Sequence, residues 1–271
     1  MKRIASIADM HCGHRAGLTP TQYLTPDPKW RDVEEDLWTR YLDLVKQFDT
    51  PDILIVNGDC IDGRGERSGG TELIAPSLAT QRDMAVECIM QWKAPKIVMA
   101  RGTDYHTGWN GEDWEDMVAE KVLVETEKLY PNKEVAVIIK DHPFINVDGV
   151  TIDIKHHIGS TSVPYGSGTA IEKDKMWNEQ WWMNDEGQPL ADVIMRAHAH
   201  ICHGSYGYRG SRRWDAIRLA ALQAAGTKYG GRRCSQTVHW GIQYGDVDNE
   251  RYRFDDFIAR VSGNQVKAVE M

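Results

Sequence analysis

Four clusters of metal-ligating side chains occur in order along the chain: Asp9-Met10-His11, Gly58-Asp59-Cys60-Ile61-Asp62, His156-His157 and His198-Ala199-His200. Each follows a short β-branched or aliphatic run that reads as a strand. One such cluster means little. Together they supply enough carboxylate and imidazole to hold two divalent cations, and a carboxylate with two oxygens can bridge them. Two-metal sites with ions about 3.5–4 Å apart clamp the attacking and leaving oxygens of an in-line displacement. The chemistry to expect is hydrolysis of a phosphate ester by metal-activated water. A mixed oxygen and nitrogen ligand set suits Mn, Fe or Zn better than Ca or Mg.

Strand side chains alternate between faces, so residues two apart point the same way. By that logic Asp9 and His11 converge on one ion where their strand meets its loop, and so do His198 and His200. Gly58 lets the backbone turn close to a metal just before Asp59. Ile152, Ile154 and His156 share one strand face, which favours His156 over His157 as a ligand.

The elements that must position these residues alternate between strand and helix. Apolar runs at 3–8, 53–57, 96–100, 134–139, 150–155 and 192–196 read as strands. Runs at 213–221, 236–244 and 251–260 read as further strands joined by Gly-rich turns. Val33, Leu37, Tyr41, Leu44, Val45 and Phe48 form a helical stripe over 32–48. Helices are also expected at 77–93, 112–129 and 170–183, the last with Trp177, Trp181 and Trp182 read as core packing. Early interleaved helices and late strands suggest an α/β fold, with two sheets packed together and helices outside. No linker or repeat divides residues 1–271, so a single domain is expected, strand-rich from about residue 205.

A hydrophobic content of 41% allows a sizeable core, and a net charge of −8 argues against wholesale coating of nucleic acid. The N-terminal apolar stretch breaks at Asp9, too early for a signal-peptide core. No run approaches the roughly 18 apolar residues of a membrane span. The expected location is therefore cytoplasmic. Five cysteines without a C-x-x-C pair predict neither a disulfide framework nor a cysteine-rich zinc site.

With its four clusters in this order, the chain resembles the calcineurin-like metallophosphoesterases. Their pattern is D-x-H, then G-D-x-x-D, then G-N-H-(D/E), then an isolated His, then G-H-x-H. Here the first two blocks are intact as DMH and GDCID, and the last reads AHAH, with Ala197 for Gly. The resemblance implies a layered α/β/β/α sandwich of two mixed sheets flanked by helices. It implies one cation held by Asp9, His11, Asp59 and His200. A second, bridged by Asp59, would be shared by His198 and one of His156 and His157. The third block departs from the pattern and reads Arg101-Gly102-Thr103-Asp104-Tyr105-His106. The ligating Asn is absent. Thr103 or Asp104 takes its place, and Asp104 is chemically the stronger ligand. His106 would then stabilise or protonate the leaving oxygen. Asp62 is expected to support the site, and His14, His142, His203 and His239 fit no slot.

The family acts on many phosphate esters. Within 207–233, seven cations stand against the single acid Asp215, a local charge of +6 that leaves −14 elsewhere. Such asymmetry can guide a polyanion. The expectation is a phosphodiester substrate, with nucleic acid and nucleotides as its candidates. The alternatives are a phosphomonoesterase of the protein-phosphatase kind and a non-catalytic metal-binding scaffold.

Overall fold

The computed structural model describes residues 1–109, 112–159, 161, 163–185, 187–227 and 238–264. Two mixed sheets lie face to face. The larger takes β1 (Lys2–Ile7), β2 (Ile53–Asn57), β3 (Lys96–Ala100), β6 (Ala136–Lys140), β14 (Trp240–Asp248) and β15 (Arg251–Ala259). Two two-stranded pieces, β4 (Gly108–Trp109) with β5 (Glu112–Asp113) and β11 (Tyr208–Arg209) with β12 (Arg212–Arg213), lie apart from both sheets. The larger sheet runs β15-β14-β1-β2-β3-β6, parallel from β1 to β6 and antiparallel at β14 and β15. The smaller takes β7 (Phe144–Val147), β8 (Val150–Ile154), β9 (Val193–Arg196), β10 (His203–Ser205) and β13 (Asp215–Arg218), in the order β10-β13-β9-β8-β7.

Alternation along the strands sorts side chains into separate cores. Leu54 and Val56 of β2 face the helices α1 (Pro28–Lys46), α2 (Leu78–Met90) and α4 (Trp114–Leu129), whereas Ile55 faces the other sheet. In β9, Val193 and Met195 join Ile152 and Ile154 of β8 between the sheets. Ile194 points the other way, to Ile171 of α5 (Thr169–Met183). The result is the expected α/β/β/α layering.

Helix starts are chemically marked. Asp27, Ser77 and Asp113 accept from the backbone N–H of Lys29, Thr80 and Glu115, capping α1, α2 and α4. Helix and strand bounds agree with the expected ones to within a few residues. The start of the strand expected at 236–244 lies outside the described residues, and β14 begins at Trp240. Strands β7 and β10 and the one-turn helix α3 (Asp104–Thr107) were not anticipated, being too short to show a period.

The tryptophans of α5 correct an expectation. Trp177 and Trp182 are 47% and 52% exposed, and Trp177 stacks on Trp181 rather than packing in the core. The reason is that α5 buries only a narrow stripe, Ile171, Lys175 and Asn178.

Candidate metal centre

The six residues Asp9, His11, Asp59, His156, His198 and His200 gather at the C-terminal ends of β1, β2, β8 and β9. The strand-pleat argument for their convergence does not hold. β1 ends at Ile7 and β9 at Arg196, so the Asp9–His11 and His198–His200 pairs lie in loops beyond the strands. Among the described residues, five of the ten non-glycine residues with left-handed backbone are Asp9, His11, Asp59, His198 and His200. Such conformations cost about 1–3 kcal/mol each and persist where the surroundings over-determine them. Alternate left-handed residues turn both side chains of each pair inward.

Hydrogen bonds hold the two carboxylate loops together as an extension of the β1–β2 pairing. The N–H groups of Asp9, His11 and Cys12 donate to the carbonyls of Gly58, Asp59 and Cys60 at 2.9–3.0 Å. Two glycines permit the close approach. A Cβ on Gly58 would stand 2.4 Å from Nδ1 of His156, and one on Gly102 would stand 2.2 Å from Oδ1 of Asp59.

The ligand atoms form adjoining groups: Asp9, His11 and His200; Asp59, His156 and His198. His200 Nε2 is 3.2 Å and His11 Nε2 4.0 Å from Oδ1 of Asp9. Around Oδ2 of Asp59 stand His156 Nε2 at 3.0 Å, His11 Nε2 at 3.9 Å and His198 Nδ1 at 3.9 Å. Atoms about 2.1 Å from a shared cation stand roughly 3–4 Å apart, so this spacing fits common ions. The donor set passes a second test. Oδ1 of Asp9, Nε2 of His11 and Nε2 of His156 are buried and have no hydrogen-bond partner outside these groups. Such groups are costly unless something binds them.

Partners outside the groups set the tautomers. A carbonyl oxygen can only accept, so His156 Nδ1–H donates to Asn57 O at 2.7 Å and turns Nε2 inward. His11 Nδ1 stands 3.2 Å from Oδ1 of Asp62, the carboxylate–histidine arrangement that orients a metal-ligating ring. His106 Nδ1–H donates to the Asp62 carbonyl at 2.8 Å, and His11, Asp62 and His106 form a third group.

The electrostatics follow from burial and proximity. Burial lowers His11 to about 4, with His106 adding to the effect. On His156 burial also opposes charge, but Asp59 and Asp9 outweigh it and raise the group to about 10. Burial would raise both carboxylates; instead His200 and His156 hold Asp9 below the usual range, and His156 and His198 hold Asp59 well below it.

Two of the expected ligands are not brought in. Asp104 opens α3, exposed, and belongs to none of the groups among the described residues. Thr103 is the residue that reaches Asp59. His157 is exposed, its ring 4.8 Å from that of His198. The backbone passes His156 into the buried centre and turns the next side chain out. His14, which fitted no slot, is buried, and its Nδ1 accepts from Ala16 N–H at 2.9 Å.

One residue went unnoticed in the sequence. Glu115 of α4 is fully buried and accepts from Cys60 N–H at 2.7 Å and from Gly102 N–H at 2.6 Å. Its carboxylate thereby joins the loops after β2 and β3. Burial, with the nearby Asp59 charge, raises it to about 7. In the sequence it reads as one more acid in a helix's first turn, favoured there by the helix dipole.

The basic segment is only partly described, because Lys228, Arg232 and Arg233 lie outside the described residues. Arg212 and Arg213 pair with Asp192 and Asp215, and Arg218 is buried. Among the described residues no helix is long and apolar enough to cross a membrane.

No family model matches the chain, and no curated protein does. Among solved structures it is similar to wild-type Vps29 complexed with zinc from Entamoeba histolytica, at 10% identity over 94% of this chain and 98% of that one, with a TM-score of 0.44. It is similar to a predicted phosphoesterase from Streptococcus pneumoniae, at 10% identity over 95% of this chain and 89% of that one, TM-score 0.40. It is also similar to a metallophosphoesterase from Sphaerobacter thermophilus, at 14% identity over 97% of this chain and 91% of that one, TM-score 0.40. At these identities and TM-scores the likenesses carry no conclusion about activity, which has to rest on the geometry of the centre.

Proposed function

We propose that the chain is a metal-dependent phosphoesterase, acting on a phosphodiester through a dinuclear centre. The observation that carries this reading is the convergence of His11, His156 and His198 on one oxygen of Asp59, beside a buried Oδ1 of Asp9 that faces His200 and His11. Asp9, His11 and His200 would hold one cation and His156 and His198 the other, with Asp59 between them. When bound, two divalent cations would lower the pKa of a water towards neutrality and neutralise charge building on the phosphoryl oxygens.

The chain's own residues do the rest. Asp62 fixes the ring of His11, and the Asn57 carbonyl fixes that of His156. Thr103 fixes Asp59 through its backbone N–H and its hydroxyl. His106, its Nδ1 tied to the Asp62 carbonyl, presents Nε2 as the atom that can hold a proton and pass it to the leaving oxygen. Manganese, zinc or iron fits this donor set.

The test is turnover of bis(4-nitrophenyl) phosphate and 4-nitrophenyl phosphate with Mn, Zn, Mg or chelator. Metal-dependent hydrolysis with a preference for the diester supports the reading, and a preference for the monoester favours a phosphomonoesterase. A specific observation supports a second reading, the metal-binding scaffold. The place of the Asn ligand is taken by Thr103, whose neutral hydroxyl is a weaker oxygen ligand than an amide carbonyl and is hydrogen-bonded to Asp59. One tightly held ion without turnover would favour it.

A further inference from the structure

A cavity of about 230 Å³ opens beside His106, walled by Arg64, Glu66, Leu78, Asp104 and Tyr105 among others. Among the described residues, His106 is the one that both lines this cavity and belongs to the groups of ligand atoms at the centre. Its ring stands 4.5 Å from that of His11, edge to face. A group occupying the cavity would therefore lie on the His106 side of a phosphate held at the centre.

The walls say what kind of group that is. Two carboxylates, Asp104 and Glu66, and one guanidinium, Arg64, line it, so the local charge does not favour a second phosphate. Arg64 and Leu78 also line a broader, open groove of about 580 Å³ with Leu73, Pro76, Ala79 and Trp114. Leu78 and the ring of Tyr105 give the cavity its apolar surface, and His106, Thr107 and the three charged groups give it polar atoms, a mixture that suits an organic ring carrying hydroxyls. A nucleic-acid strand would instead need a positively charged track on which to lay its backbone.

We infer that this cavity takes the leaving group of the ester, and that this group is an uncharged, ring-bearing alcohol rather than the continuation of a polyanionic strand. The inference rests on the phosphoesterase reading above and names its substrate class. In the step it serves, the oxygen of water bonds to phosphorus and the bond from phosphorus to the ring-bearing alcohol's oxygen breaks. That alcohol leaves with a proton from the His106 side.

The experiment compares two stable, singly charged analogues, methyl phenylphosphonate and methyl methylphosphonate, by calorimetric titration of the zinc-loaded protein. They differ only in the ring. Wild type is expected to bind the phenyl compound about tenfold more tightly or better, the size of effect that burying a ring gives. Leu78→Trp, at the first residue of α2, fills the cavity and is expected to erase that gain while leaving the methyl analogue's Kd unchanged. Leu78→Ala is expected to keep the gain, which separates filling from simple damage. Equal affinities in wild type, or a gain that survives Leu78→Trp, overturn the inference. If zinc is retained and neither analogue binds, the phosphoesterase reading fails and this inference fails with it.

Discussion

Thr103 donates both its backbone N–H, at 2.7 Å, and its hydroxyl, at 3.1 Å, to Oδ1 of Asp59. Oδ2 of the same carboxylate faces His11, His156 and His198. Oδ1 thus takes the two shorter bonds that fix the side chain, and Oδ2, 3.4 Å from the same hydroxyl, is presented to the centre. Asp59→Asn keeps the shape but removes the negative charge that both cations would share. It is expected to abolish turnover and leave the melting temperature close to that of wild type. Near-normal turnover in this variant would contradict a bridging role.

Asp62 acts one step further out. Its carboxylate sets which nitrogen of His11 carries the proton and so keeps Nε2 free for a cation. Removing such an outer partner typically lowers metal affinity about 10–100-fold. Asp62→Ala is expected to weaken zinc binding by that amount, read by calorimetric titration. Unchanged affinity would mean that packing alone orients His11.

His106 separates binding from chemistry. It lies in no group with Asp9 or Asp59, so His106→Ala is expected to leave metal content nearly intact. Turnover should fall by about 10²–10⁴, the range for a general acid. Loss of a metal in this variant, measured by elemental analysis, would make His106 a ligand instead.

The residues that gather were legible because type and position coincide: carboxylates and imidazoles just past apolar strands. How they gather was not. The left-handed backbone of Asp9, His11, His198 and His200 depends on neighbouring loops, and local spacing carries no trace of it. The same limit explains the register of the third block. Chemistry alone ranked Asp104 above Thr103, but the N–H of Thr103 points at Asp59 and the chain then turns into α3, which leaves Asp104 in solvent. Trp177 and Trp182 show a different limit. Helical spacing identifies a face but not the width of the surface waiting to cover it.

Glu115 tests whether one buried carboxylate can hold two loops in place. Glu115→Ala would leave the N–H groups of buried Cys60 and half-buried Gly102 without this acceptor. Each such loss costs about 1–3 kcal/mol. The variant is expected to melt several degrees lower and to bind zinc more weakly, because Asp59 and Thr103 ride on the freed loops. Glu115→Gln keeps one acceptor, since its amide NH₂ cannot receive an N–H, and an intermediate loss is expected. A fully stable Ala variant with normal zinc affinity would show that the strands position these loops unaided.

Glu34 offers a test far from the centre. It is fully buried on α1, with Oε2 accepting from Thr25 N–H at 2.7 Å and Oε1 unpartnered. Burial raises it from 4.5 to about 7, against the Thr25 N–H and Arg31, which lower it, and with Asp27 and Glu35, which raise it further. The folded state therefore prefers the protonated acid. Its contribution to stability is complete below the unfolded value near 4.5 and is lost as pH rises through about 7. A difference of this size corresponds to roughly 3 kcal/mol. Glu34→Gln mimics the protonated form and keeps an acceptor for Thr25. It should match wild type at pH 4 and exceed it by up to roughly that amount at pH 8, read from chemical denaturation at both values. Equal stability at pH 8 would mean that the carboxylate is hydrated in solution and carries no burial penalty.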